Sequence, residues 1–166
     1  IPAASSTSLL MVLALWLGGL ATYLVIRAVS SRVLSSNQTS FELVRRAVLP
    51  GLAIAAVQAL ALTILGQTVL DLSVGTVFGV LGMLLLGGVM FVVVNHALVA
   101  WFGGFGRLVS VAMVTLSEAS GLLSAVPKFF DAVVPFVPLT PVLDGVRAII
   151  TGGPGLSTAV GLTVLW

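Results

Sequence analysis

Long apolar runs separated by short polar breaks set the plan of this chain. A membrane-spanning helix needs about 20 consecutive, mostly apolar residues. Runs of that kind cover residues 9–29, 47–69, 74–101 and 108–126, and a fifth starts at residue 156 and continues to residue 166. They predict five spans. Ala14, Gly18 and Thr22 recur at four-residue spacing, as do Gly75 and Gly79 with Gly82 beside them. Such small faces let helix backbones approach closely. Pro50 stands near the start of the second run and Gln58 in its middle. The third run is longer than a span requires, which predicts tilt, bending or extension past the bilayer.

The breaks differ in kind. Residues 30–46 are the most polar stretch, Asp71 marks a very short turn, and FGGFGRL makes another, ending in Arg107. The fourth break, residues 127–150, is apolar yet cannot be one long helix, because Pro127, Pro135, Pro138 and Pro141 interrupt it. Each proline lacks an amide donor and clashes with the preceding turn. Two short amphipathic pieces remain. Phe129, Phe130, Val133 and Val137 share a face in the first, opposite Lys128 and Asp131. In the second, Thr140 reads as an N-cap and Pro141 as the first helical residue. Leu143, Val146 and Ile150 form its apolar stripe, with Asp144 and Arg147 three apart on the polar side. A broken hairpin of this kind suits the membrane–water boundary.

Composition sharpens the picture. The 166 residues are 59% hydrophobic and 7% charged, against about 25% charged in soluble domains. Polar side chains are too few to cover a globular surface, so the expected fold is an all-α, polytopic helical bundle with lipid as its main solvent. Arg27, Arg32, Arg45 and Arg46 cluster around 30–46, and Arg107 lies in the other short turn on that side. The positive-inside rule then makes 30–46 cytoplasmic and the hairpin 127–150 external. The net charge of +2 follows from topology and gives no reason to expect a nucleic-acid partner. Cysteine is absent, which excludes disulfide and thiolate chemistry. The first residues, IPAASSTS, carry neither an initiator Met nor a basic leader, so the sequence reads as part of a larger protein.

Catalytic chemistry finds little support. His96 is the only histidine and cysteine is absent, so a zinc site would have to recruit scattered acids, and no Ser/His/Asp set can be placed on one side of a membrane. GGFGRL lacks dinucleotide-fingerprint spacing and GGPGLST lacks the lysine of a phosphate loop. No enzyme activity, cofactor or metal is expected. Glu118 stands out, because a carboxylate at the centre of a span costs about 2.5–3.5 kcal/mol on insertion scales. With Ser117, Ser120 and Ser124 it reads either as part of a substrate path or as a structural hydrogen-bonding group near the headgroups. Asn95 and His96 read as a helix-end hydrogen-bonding pair, and Gln58 as an interhelical hydrogen bond. Arg32, Glu42, Arg45 and Arg46 read as a partner-docking surface or as a solvated connector, part of it a short interfacial helix at 41–46.

The run from Asn95 to Gly153 resembles the C-terminal membrane domain of the YhgE/Pip (phage infection protein) family, within the type-2 ABC exporter membrane domains. The matching features are Gly106-Arg107, Pro127 with Phe129 and Phe130, Pro135-Phe136-Val137-Pro138, and Asp144-Gly145-Val146-Arg147 before closing glycines. The resemblance implies a six-span fold in a bacterial plasma membrane, in which the runs here are the second to sixth. It implies that 127–150 is an extracellular re-entrant helical hairpin. Phe129, Phe130, Pro135, Pro138, Asp144 and Arg147 would then belong to an external gate. It further implies a homodimer or pseudo-dimer with an ATP-binding subunit, or secretion-system components, exporting a lipidic or amphiphilic substrate or assisting protein secretion. The alternative is a non-transporting anchor and dimer scaffold for an extracellular domain, such as a phage receptor or a type VII secretion accessory protein.

Overall fold

The computed structural model describes residues 2–26, 39–122 and 136–166. Its helices are α1 (Pro2–Val25), α2 (Ser40–Leu70), α3 (Val74–Phe102), α4 (Gly104–Leu122), α5 (Leu139–Thr151) and α6 (Leu156–Leu165). Among the described residues there is no strand. Ala3–Val25 of α1, α2 and α3 are each long and apolar enough to cross a membrane, while Gly104–Ser117 and Leu156–Leu165 form shorter apolar helices. The protein is therefore an all-helical bundle with at least three candidate spans, and its apolar exterior fits lipid.

Several boundaries differ from the sequence expectation. Helix α1 begins at Pro2 rather than residue 9 and ends at Val25 rather than residue 29. A proline is well tolerated at a first helical position, and the Ser8 hydroxyl donates to the Ala4 carbonyl at 2.7 Å, so this serine-rich stretch satisfies itself within the helix. Residues 41–46 are not a separate interfacial helix. They form the opening turns of the 31-residue α2, which runs through Pro50. Glu42 and Arg46 brace those turns with an i,i+4 ion pair at 3.1 Å. Helix α5 is capped at Pro138, which puts Thr140 inside its first turn rather than at the cap.

The turns are very short. Asp71 closes α2 in the left-handed region, its N–H returning to the Gln67 carbonyl, a conformation that aspartate tolerates better than most residues. The Ser73 hydroxyl then accepts from the Thr76 amide and starts α3. Between α3 and α4 the break narrows to Gly103, with φ 56° and ψ −126°. A side chain there would be strained. Helix α4 consequently starts at Gly104 rather than at residue 108 and doubles back so tightly that a Cβ at Gly106 would strike the Leu98 carbonyl.

Packing places α1 and α3 side by side in the same direction, with α2 and α4 antiparallel to α3. Trp16 meets Phe91 edge-to-face at 4.9 Å, and Leu15, Val80 and Leu84 are fully buried around them. Small residues set these approaches. Gln58 lies over Gly18, Tyr23 and Val92 over Gly51, and Ala55 against Gly88. Of the predicted glycine face on α3, only Gly79 meets a neighbour, Ile149, while Gly75 and Gly82 face open space. On α2, Leu49, Val57, Leu60 and Ile64 are exposed, an apolar face of the kind lipid covers.

Gly106 tests this arrangement. Replacing it with Val drives a side chain into the α3 backbone, and overpacking of this sort costs typically 1–3 kcal/mol. Thermal unfolding in detergent should show Gly106→Val clearly less stable than wild type, and Gly161→Val, which meets open space, unchanged.

Candidate functional site

Helix α5 is where the fold departs from a plain bundle of spans. Its apolar stripe is broader than the predicted Leu143, Val146 and Ile150. Leu139, Val142 and Val146 are buried to 2% exposure or less, and Leu143, Ile149 and Ile150 pack against the same core. The helix contacts α1, α3, α4 and α6, so it is inserted among the other helices rather than resting on them. Three close approaches fix its register against α3: Val142 on Gly87, Met83 on Gly145 and Ile149 on Gly79. The two helices run antiparallel, and α5 ends near the start of α3.

Depth follows from helix rise. At about 1.5 Å per residue, the Met83–Gly87 level lies roughly 14–20 Å from the start of α3. That is close to half of a hydrocarbon core about 30 Å thick. The buried Val137, Pro138 and Leu139 lie deeper still. Helix α5 thus begins level with about Met90, a little past the midpoint of the 29-residue α3, and rises to the end of the bundle where Asp71 turns the chain. There the Gly152 and Gly153 amides both return to the Ala148 carbonyl. Gly152 at φ 66° and Gly155 at φ 100° reverse the chain into α6.

Asp144 and Arg147 lie on the face of α5 turned away from the core. Asp144 is exposed and Arg147 half-exposed. Both line a groove of about 520 Å³ between α5 and α6, together with Thr151, Gly153, Pro154, Gly155 and Thr158. The Arg147 Nε is buried without a hydrogen-bond partner. The register puts Asp144 beside the Met83–Gly87 level, where contact with lipid would cost about 2.5–3.5 kcal/mol per charge on insertion scales.

A second polar group lies toward the opposite end, near Arg107. The Ser110 hydroxyl donates to Asn95 Oδ1 at 2.6 Å, and Asn95 Nδ2 donates to the Phe91 carbonyl at 2.9 Å. Trp16 Nε1 donates to the Ser110 carbonyl at 3.3 Å. Trp16, Asn95 and Ser110 are fully buried, so this knot ties α1, α3 and α4 together. The expected Asn95–His96 pairing is replaced by Asn95–Ser110, while His96 packs on Tyr23 with ring centroids 5.5 Å apart. Tyr23 Oη, His96 Nδ1 and Gln58 Oε1 are buried without hydrogen-bond partners. Gln58 thus fills the space over Gly18, but its oxygen makes no interhelical bond.

The other residues singled out by sequence are placed unevenly. Ser117 is buried on α4. Glu118 and Ser120 belong to α4, with side chains outside the described residues. Glu118 stands eight positions past Ser110, about 12 Å along the axis, which brings its backbone near the level of Gly87. Arg45 is exposed beside the Glu42–Arg46 pair, at the same end as Arg107. Arg32, Ser124, Lys128, Phe129, Phe130, Asp131 and Pro135 lie outside the described residues. Ser110 and Trp16 were missed. Serine and tryptophan are common enough in membrane helices that neither carries a sequence signal, and only the packing of α4 across α1 and α3 joins them. Among the described residues no cluster of His, Cys, Asp or Glu could hold a metal ion. No protein-family model, curated protein or solved structure matches the chain.

The knot gives a direct measurement. Ser110→Ala leaves Asn95 Oδ1 buried without its donor, which costs about 1–3 kcal/mol. Its thermal stability in detergent should fall measurably, and a double-mutant cycle with Asn95→Ala should be non-additive.

Proposed function

We propose that the chain is the membrane-spanning part of an exporter of the type-2 ABC kind, with α5 the second limb of an external re-entrant hairpin. The observation that carries this reading is the depth of α5. A short helix that starts near mid-membrane and rises to one end fits a broken segment enclosed by protein or bordering a water-filled cavity, the settings in which irregular backbone is tolerated at that depth. The resemblance over Asn95 to Gly153 points the same way. Arg45, Arg46 and Arg107 gather at one end and Asp71 at the other, which supports placing the arginine end in the cytoplasm and the α5–α6 turn outside.

In this reading the hairpin acts as an external gate. Val142, Gly145 and Ile149 lock it onto α3, so displacement of α3 relative to α1 would carry α5 with it. The exposed α2 start, with Arg45 and the Glu42–Arg46 pair, is the surface offered to an ATP-binding partner. Glu118 and Ser117 lie on the α4 stretch that rises toward the hairpin, consistent with a path along it. The substrate class is the lipidic or amphiphilic one implied by the resemblance.

Two measurements test it. An impermeant amine reagent should modify Lys128 from outside intact bacterial cells, and modification from the cytoplasmic side alone overturns the orientation and the gate. An ATP-binding protein should co-purify with the full-length protein and be lost when Arg45 and Arg46 are both changed to Glu. A complex indifferent to nucleotide and to those changes would instead favour the anchor and scaffold reading.

A further inference from the structure

We infer that the groove between α5 and α6 is a water-filled vestibule, which brings external solution, and small polar solutes with it, to Asp144 near the middle of the membrane. The first ground is Asp144 itself, exposed on the outward face of α5 at the level that the Gly87–Val142 and Gly145–Met83 contacts define. A carboxylate there is not covered by this chain's described residues and is not tolerated by lipid.

The second ground is the groove's composition from rim to floor. Its rim is the turn between α5 and α6, with Thr151, Gly153, Pro154 and Gly155, at the same end as Asp71. By helix rise, Thr158 and Arg147 belong to its walls and Asp144, Pro141 and Leu162 to its floor, with Ala148 and Ala159 between them. Polar side chains therefore recur from the bundle end to the buried level. The third ground is contrast. The groove on the other side of α5, lined by Phe78, Met83, Leu86, Ile149, Leu156 and Val160, holds no charged residue and suits acyl chains. Of two adjoining grooves, the one with Asp144 and Arg147 is the one that calls for water. Arg147, whose Nε has no hydrogen-bond partner among the described residues, and Asp144 then offer a cation and an anion to any polar group that enters.

These 166 residues hold no cysteine, so introduced thiols report on this domain once any cysteine elsewhere in the full-length protein is replaced by serine. Single cysteines would be placed at Thr158 (wall), Asp144 and Leu162 (floor), and at Val57, an exposed position near mid-length of α2. Each variant is first checked for wild-type thermal stability and a monodisperse profile. A small impermeant thiol reagent is then applied to the full-length protein in membranes. The expected result is modification at Thr158→Cys, Asp144→Cys and Leu162→Cys at rates within about tenfold of one another, with Val57→Cys at least a hundredfold slower. Leu162→Cys leaves both charges intact, so its reactivity does not depend on removing Asp144. The inference is overturned if both floor positions are as unreactive as Val57→Cys, or if they cross-link between copies on oxidation in place of reacting, since protein then fills the groove. The proposal takes its outward direction from the exporter orientation. Reaction from the cytoplasmic side only would leave a water-filled groove standing and overturn that orientation alone.

Discussion

In a bilayer every backbone amide and carbonyl needs a partner from the protein, because lipid supplies none. That constraint explains why this chain is almost wholly helical where it is described, and why its few interruptions carry the information. Between α2 and α3 the break is confined to Asp71–Ser73, with both flanking helices capped by hydrogen bonds. Between α3 and α4 it shrinks to Gly103. Among the described residues, only at the start of α5 does the chain leave helix at depth, and there Pro138 heads the helix with its neighbours buried in the core. A proline has no amide to satisfy, so it removes one unpaired donor from the place where a helix start is hardest to accommodate.

Glycine then decides how deep α5 goes. Gly79, Gly87 and Gly145 each receive a side chain from the opposite helix, and the three contacts are spaced so that the helices interlock along their shared length. Small residues serve this role where hydrophobic expulsion from water is unavailable and close packing must supply the attraction. The same device recurs at Gly51 and Gly88 between α2 and its neighbours. Position in this bundle is therefore a matter of where side chains are missing, more than of which large ones are present.

Much of this was legible in the sequence. Apolar run length identified three helices able to span, and Pro138 and Pro141 marked where α5 begins. The hydrophobic stripe of α5 was found in outline, through Val146 and Ile150. What the sequence could not give was depth. Amphipathicity alone fits a helix lying on the membrane surface as well as one inserted beside α3, because a stripe says that one face is buried without saying against what. Turn boundaries also moved: FGGFGRL holds enough glycine for a loop, but packing of Gly106 against Leu98 let helix resume after a single residue. At the site, Asn95 was read as a helix-end group paired with His96, while its actual partner Ser110, on another helix, had no local signature.

The two polar regions of the bundle obey opposite rules. Trp16, Asn95 and Ser110 are buried and mutually bonded, so their polarity is consumed in joining helices. Desolvated and paired, they contribute to rigidity and leave nothing for a ligand. Asp144 and Arg147 lie at comparable remove from the bundle ends yet face outward, with Asp144 exposed and the Arg147 Nε unpartnered. A charge in that state is stable only where its surroundings are not lipid, so the α5–α6 face differs from the rest of the exterior. The α2 face, with Leu49, Val57, Leu60 and Ile64, is the opposite limit. The two faces thus differ in whether they carry charge at depth, and the helix that makes the difference is α5, which begins beside Pro138.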